Sequence, residues 1–162
     1  MRAGRVPASN FKSVSHTNES SLFLSLILSM CHSETSKFRN NATAWGIQHE
    51  KVARDKYSSY SGLNHVDFKM EECGFFIDVD NPYIGASPDG VVSCVCCGDD
   101  VCEIKCPFCH KDDCFKDAVK DTNFCLAETD NGNYELKHSH SYYYQIAHLS
   151  WILVNYVKFL AQ

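Results

Sequence analysis

"GASPDGVVSCVCCGDDVCEIKCPFCH", Gly85 to His110, is the stretch whose reading decides the fold. Two runs rich in β-formers, Gly90–Val95 and Val101–Lys105, flank "CCGDD", whose glycine and paired aspartates read as the tip of a hairpin. Asp89 opens one strand, and Glu103 and Lys105 lie on the other. Alternate residues of a strand share a face, so Glu103 and Lys105 project together while Ile104 turns into the core. Pairing the strands brings Asp89 alongside. Two carboxylates on one face repel each other unless a cation sits between them. Lys105 adds a fixed positive charge close enough to orient or activate a water. Such a centre suits one or two Mg²⁺ or Mn²⁺ ions set against a phosphate. An E-x-K pair alone is commonplace as a surface ion pair. The S-P-D-G ahead of it, across a turn, is what makes the pattern specific.

Outward from the hairpin, the N-terminal third is helical and the centre is not. Residues 9–31 are expected to form one helix, with Ser9 or Asn10 as its cap. A second helix is expected from about Ala42 to Tyr60, where Trp45, His49, Val52, Ala53 and Tyr57 recur at helical spacing and "SGLN" ends it. "HVDFKM" and "GFFIDVD" then alternate like strands. Beyond the hairpin come a short helix near Asp113–Asp121, a polar loop "ETDNGN", the helix "SHSYYYQIAHLSWILV" and a closing strand within "NYVKFLAQ". Helices, a hairpin-rich sheet and a further helix indicate an α/β fold with a mixed sheet.

Composition sets outer limits. With 162 residues, 44% of them hydrophobic and 22% charged, the chain is one domain with enough apolar matter for a core. The net charge of −5 gives no global pull toward nucleic acid, yet a metal-dependent nuclease needs an acidic centre, and bound cations reverse the local sign. The apolar run "SLFLSLILSM", residues 21–30, resembles a signal-peptide core, but a long polar segment containing Glu19 precedes it. Leu22, Phe23, Leu26, Ile27 and Met30 have the spacing of a core-facing helix stripe, and that reading is preferred. No run reaches the roughly 18–20 residues that span a bilayer. An intracellular location, nuclear or cytoplasmic, is expected.

"SPDG…EIKCP" resembles the PD-(D/E)xK nuclease motif in the version carried by the lambda exonuclease and YqaJ-type viral recombinase family. Three further stretches resemble that family in the same order. "AWGIQHEKVAR" (Ala44–Arg54) looks like its W-G-x-x-x-E helix, "SYYYQIAHLSW" (Ser141–Trp151) like its Y-x-x-Q helix, and "RAGRVPAS" (Arg2–Ser9) like its R-x-G-x-x-T-A-S start, with proline for threonine. The resemblance implies a restriction-endonuclease-like core and one nuclease domain over residues 1–162. It implies Asp89 and Glu103 as principal metal ligands, the backbone carbonyl of Ile104 completing a metal shell, and Lys105 positioning the attacking water. It places Glu50 as an accessory acid and metal ligand, Gln145 beside the centre, and Arg2, Ser9 and Ser87 around a terminal 5′-phosphate. The implied reaction is Mg²⁺-dependent hydrolysis of duplex DNA from a 5′ end, in recombination or viral and mobile-element DNA processing, by a ring-shaped homotrimer. The family usually continues beyond the Gln145 helix, so the chain is either minimal or a fragment truncated at its C-terminus. A competing reading is a catalytically inactive, zinc-containing nucleic-acid-binding module on a decayed nuclease fold. Intact Asp89, Glu103, Lys105, Glu50 and Gln145 favour the enzyme. Tyr142, Tyr143 and Tyr144 are candidates for base stacking, although three successive aromatics on a helix cover different faces and at least one belongs to the core.

Seven of the ten cysteines fall between Gly85 and Cys114. Cys94, Cys96 and Cys97, with Cys106 and Cys109, have spacings that suit a structural zinc. Cys106 lies at the far end of the hairpin from the tip, which argues against one site using all of them. Zinc, free thiols and disulfides all remain open.

Overall fold

The computed structural model describes residues 4–18, 24–31, 40–153 and 157–161. It begins with β1 (Val6–Pro7) and a 3₁₀ turn, Ala8–Asn10, that runs into α1 (Phe11–Ser15). The single helix expected over 9–31 is two, α1 and α2 (Leu24–Cys31). The polar "SHTN" explains the break. Ser15 Oγ donates to the Lys12 carbonyl at 3.1 Å and Thr17 Oγ1 to that of Ser13 at 2.5 Å, local bonds that compete with helix propagation. Leu22 and Phe23 of the expected apolar stripe lie outside the described residues. Leu26, Ile27 and Met30 are half-buried.

α3 (Asn41–Asn64) starts where Asn40 accepts a hydrogen bond from the Thr43 N–H at 2.8 Å. It runs through the "SGLN" expected to end it, as far as Asn64. A mid-helix glycine costs only about 1 kcal/mol relative to alanine, and Ser61 is buried with its carbonyl accepting the His65 N–H at 2.9 Å. β2 (Lys69–Glu71), β3 (Phe76–Ile77) and β4 (Ile84–Ala86) follow, then the hairpin of β5 (Gly90–Cys94) and β6 (Gly98–Lys105). Its tip is Val95–Cys97, tighter than the expected "CCGDD". Gly98, at φ +83°, closes the three-residue turn in the left-handed region that only glycine enters freely. Asp99 and Asp100 therefore belong to β6, opposite Ser93 and Val92. After α4 (Phe115–Ala118), the polar "ETDNGN" joins β7 (Leu126–Glu128) to β8 (Tyr134–Leu136), a hairpin not expected from sequence. α5 (Ser141–Leu153) and β9 (Val157–Ala161) complete the described chain.

The fold is mixed α/β. β2, β5, β6 and β9 make one sheet in that order, with β9 parallel to β6. β1, β4 and β3 make a second, with β1 parallel to β4. Ala53 of α3 packs on Val92, Cys102 and Ile104, and Tyr57, Phe68 and Met70 close the edges of this cluster. Each fully buried valine or isoleucine there contributes about 1.5–3 kcal/mol. Ala8, Ala86 and Leu149 form a second cluster that fastens the N-terminal turn, β4 and α5 together. Among the described residues no helix is long and apolar enough to cross a membrane.

Gly85 is the middle residue of β4, paired with Pro7 of β1 on one side and Ile77 of β3 on the other. A Cβ there would lie 2.2 Å from the Phe75 ring and 3.0 Å from the Phe76 carbonyl. Gly85→Ala is expected to cost about 1–3 kcal/mol, read as a lower thermal midpoint. An unchanged midpoint would mean that the Phe75 ring yields freely.

Candidate active site

The hairpin, α3 and α5 converge on one open cleft of about 430 Å³. Glu50, Asp89, Glu103, Lys105 and Gln145 all line it, and so do Ser9 and Ser87. Arg2 lies outside the described residues. Of the sequence-expected site, the structure therefore gathers five chemical groups and two hydroxyls around one space.

Glu103 is its centre. The residue is 2% exposed. One carboxylate oxygen, Oε1, takes hydrogen bonds from both the Lys105 ammonium and the Gln145 amide. The other, Oε2, is buried with no hydrogen-bond partner. Burial, with the Asp89 carboxylate adding to it against the pull of Lys105, pushes the Glu103 pKa up from 4.5 to about 7. Burial alone would weaken the Lys105 ammonium, but the Glu103 charge outweighs it and the pKa is raised. Lys105 thus stays protonated at neutral pH and acts as a fixed donor rather than a base. Its Nζ also sits 5.3 Å from the centre of the Tyr142 ring.

Asp89 is fixed from the backbone side. Its Oδ2 accepts the Ile104 N–H at 2.7 Å, and its own N–H donates to the Cys102 carbonyl at 3.1 Å, so the hairpin register positions it. Glu50 comes from α3. Its pKa is raised by burial and by the Asp89 charge, with Arg54 and Lys105 opposing.

Sequence reasoning missed Arg54. Its Nη2 donates to the Asp89 carbonyl at 2.7 Å and to Glu50 Oε1 at 3.1 Å, while Nη1 reaches Glu72 Oε1 at 2.6 Å. This guanidinium ties α3 to the residue just before β5. The only sequence signal for it is the i,i+4 spacing from Glu50. Cys73 and Phe75 also line the cleft unforeseen.

The tyrosines separate as helical geometry requires. Tyr142 packs on the Phe124–Leu126 cluster, Tyr143 stacks on His138 at 4.3 Å, and Tyr144 meets His16 edge-on at 5.1 Å. His148 is buried against Phe11, and burial lowers its pKa to about 4. It serves as packing. Of the thiols in the expected zinc set, Cys94, Cys96 and Cys97 gather at the hairpin tip. Cys106 packs on the α3 core cluster and Cys109 is exposed in the next turn, and neither belongs to the tip group.

Glu103 makes a testable demand. A carboxyl whose pKa rises on folding binds a proton in the folded state that the unfolded chain has already lost. Stability then falls as pH climbs from 4.5 toward about 7, and stays reduced above. Without divalent metal, Glu103→Gln should be more stable than wild type at pH 8, by on the order of 3 kcal/mol, and equal to it near pH 4. Thermal melts across pH check this, and a wild type whose stability rises over that interval would refute it.

The model of the family described as the YqaJ-like viral recombinase domain matches residues 1–152. Two solved structures of an alkaline exonuclease (LHK-Exo) from Laribacter hongkongensis are similar to this chain at 23% identity. One has a TM-score of 0.65, and the other, a complex with dAMP, has 0.66. Each match covers 99% of this chain and 70% of that one. No curated protein matches.

Proposed function

The chain belongs to the YqaJ-like viral recombinase domain family, and from that membership we propose that it is a metal-dependent deoxyribonuclease that hydrolyses duplex DNA from a 5′ end. The observation that carries the reading is Glu103: a carboxylate 2% exposed, with one oxygen accepting two hydrogen bonds and the other without a partner, in a cleft it shares with Glu50, Glu72 and Asp89. Leaving a buried anion half-satisfied is costly, and a hard divalent cation with oxygen ligands removes that cost. The donor set fits Mg²⁺ or Mn²⁺. Asp89 and Glu103 would hold it, with Glu50 and the Ile104 carbonyl as further ligands. When bound, the ion supplies Lewis-acid neutralisation of the charge that gathers on the phosphoryl oxygens.

The remaining roles follow from the chain's own groups. Lys105, held protonated, orients the attacking water and donates toward developing negative charge. Gln145 holds Glu103 in one rotamer through its amide. Arg54 sets the distance between Glu50 and Asp89. Ser9 and Ser87, at the cleft wall, donate to a terminal phosphate. Arg2 would join them, since a guanidinium fork suits a phosphate dianion. Assembly as a ring-shaped trimer, and a role in recombination or mobile-element DNA processing, belong to the same proposal. A decayed, purely binding version is disfavoured because every one of the five groups is retained around one cleft.

The test is hydrolysis of linear duplex DNA, with and without a 5′-phosphate, in Mg²⁺. Wild type should degrade the phosphorylated end faster and stop in chelator. Asp89→Ala should lose at least about 10²–10³-fold of the rate. A folded wild type as inert as Asp89→Ala would end the enzymatic reading. A second measurement isolates Arg54. Arg54→Lys keeps the charge but loses the fork, so it should lower the rate while retaining DNA binding. An unchanged rate would remove its positioning role.

A further inference from the structure

The end of α3 and the tip of the β5–β6 hairpin meet at four side chains that the nuclease reading does not use. His65, the residue that caps α3, turns out of the helix at φ −129°, ψ 145° and aims its ring at the tip. Its Nδ1 lies 3.3 Å from Cys96 Sγ, 3.5 Å from Cys97 Sγ and 3.6 Å from Cys94 Sγ. Cys96 Sγ is 3.5 Å from Cys94 Sγ and 3.7 Å from Cys97 Sγ. All four donor atoms fall within 4.8 Å of one another.

These separations have a specific meaning. Tetrahedral zinc binds sulfur at about 2.3 Å and imidazole nitrogen at about 2.0–2.1 Å. Ideal angles then place two sulfurs about 3.8 Å apart and a nitrogen about 3.6 Å from each sulfur. The observed contacts lie within a few tenths of an ångström of that figure. Sulfur–sulfur hydrogen bonds are weak and would not gather three thiols and an imidazole on an exposed turn. A disulfide would join only one pair and leave the histidine unexplained.

We propose that His65, Cys94, Cys96 and Cys97 form a Cys₃His structural zinc site that clasps the C-terminus of α3 to the hairpin tip. The local backbone is built for it. Val95 N–H donates to the Val66 carbonyl at 3.0 Å, which fixes the loop after His65 to the turn between the cysteines. Asp67, at φ +52°, and Gly98, at φ +83°, provide the two left-handed residues that bend the segments toward each other. Cys94 ends β5, and the turn that follows brings Cys96 back to it and Cys97 against Cys96.

The site is separate from the carboxylate centre. Gly98 and Glu103 lie five residues apart on β6, so roughly 16 Å of strand separates them. Its three soft thiolates and one imidazole select zinc over Mg²⁺. The consequence is mechanical. α3 carries Glu50 and Arg54, the hairpin carries Asp89, Glu103 and Lys105, and a zinc clasp would lock their register at the end away from the chemistry. This inference does not depend on the nuclease reading.

Metal content of the purified full chain tests it without reference to activity. Elemental analysis should find about one zinc per chain after dialysis against Mg²⁺ buffer. Cobalt(II) in its place should give the visible d–d and thiolate charge-transfer bands of a tetrahedral sulfur-rich site. His65→Ala and Cys97→Ser should lose the metal. His65→Cys should keep it, with stronger charge-transfer absorption, and a Cys106→Ser/Cys109→Ser double variant should keep it unchanged. The proposal is overturned if wild type carries no zinc and takes up no cobalt. Loss of metal from the double variant but not from Cys97→Ser would overturn it too, as would stoichiometric iron in place of zinc.

Discussion

Glu103 is the group on which the arrangement of this molecule turns. It lies inside the structure, where an unpaired carboxylate is among the least tolerable of side chains. Lys105 and Gln145 satisfy one oxygen and leave the other with nothing in the chain to bond. Each neighbouring element contributes to that situation. β6 delivers Glu103 and Lys105 to one face, α5 supplies Gln145 from the side, and β5 places Asp89 within electrostatic reach. Moving any one of them would take a partner from the buried charge or open it to water. The fold keeps it buried with one oxygen satisfied and the other bare, the arrangement on which the proposed cation site rests.

α3 and the hairpin form the rigid frame for this centre. They are joined along their length by Ala53 packing on Val92, Cys102 and Ile104, and near the cleft by Arg54 reaching the Asp89 carbonyl. The far ends meet at His65 and the three tip cysteines. The carboxylate cleft proposed for chemistry and the sulfur-rich cluster proposed for zinc thus lie at opposite ends of one hairpin. Their ligand sets differ enough that each metal would ignore the other's position. The thiol crowding that dominates the sequence of this region is separable from the acids that dominate its chemistry.

How far the sequence revealed this differs by residue. Asp89, Glu103 and Lys105 were legible because hairpin pairing and strand alternation need only short-range pattern. Glu50 and Gln145 were legible through helix motifs in a fixed order. Arg54 was not, because its link to the hairpin is to a backbone carbonyl 35 residues away, which leaves no side-chain signature, and its i,i+4 spacing from Glu50 is commonplace on helices. His65 was hidden for a related reason. α3 was expected to stop at Tyr60, and only a helix that continues to Asn64 presents the next residue to the hairpin. The tip was placed two or three residues late, which obscured how Cys94, Cys96 and Cys97 converge. The split of the expected 9–31 helix reflects side-chain hydroxyl bonding, which apolar periodicity does not record.

Proton release on metal binding tests the central claim most directly. Mn²⁺ titrated calorimetrically at pH 6.5, in buffers of different ionisation enthalpy, reports the protons displaced per ion bound. If Glu103 is the ligand held protonated by burial, wild type should release most of one proton at that pH, and Glu103→Gln should bind weakly and release none. Tight Mn²⁺ binding by wild type with no proton release would contradict the account, because the cation would then be going somewhere other than the empty side of Glu103.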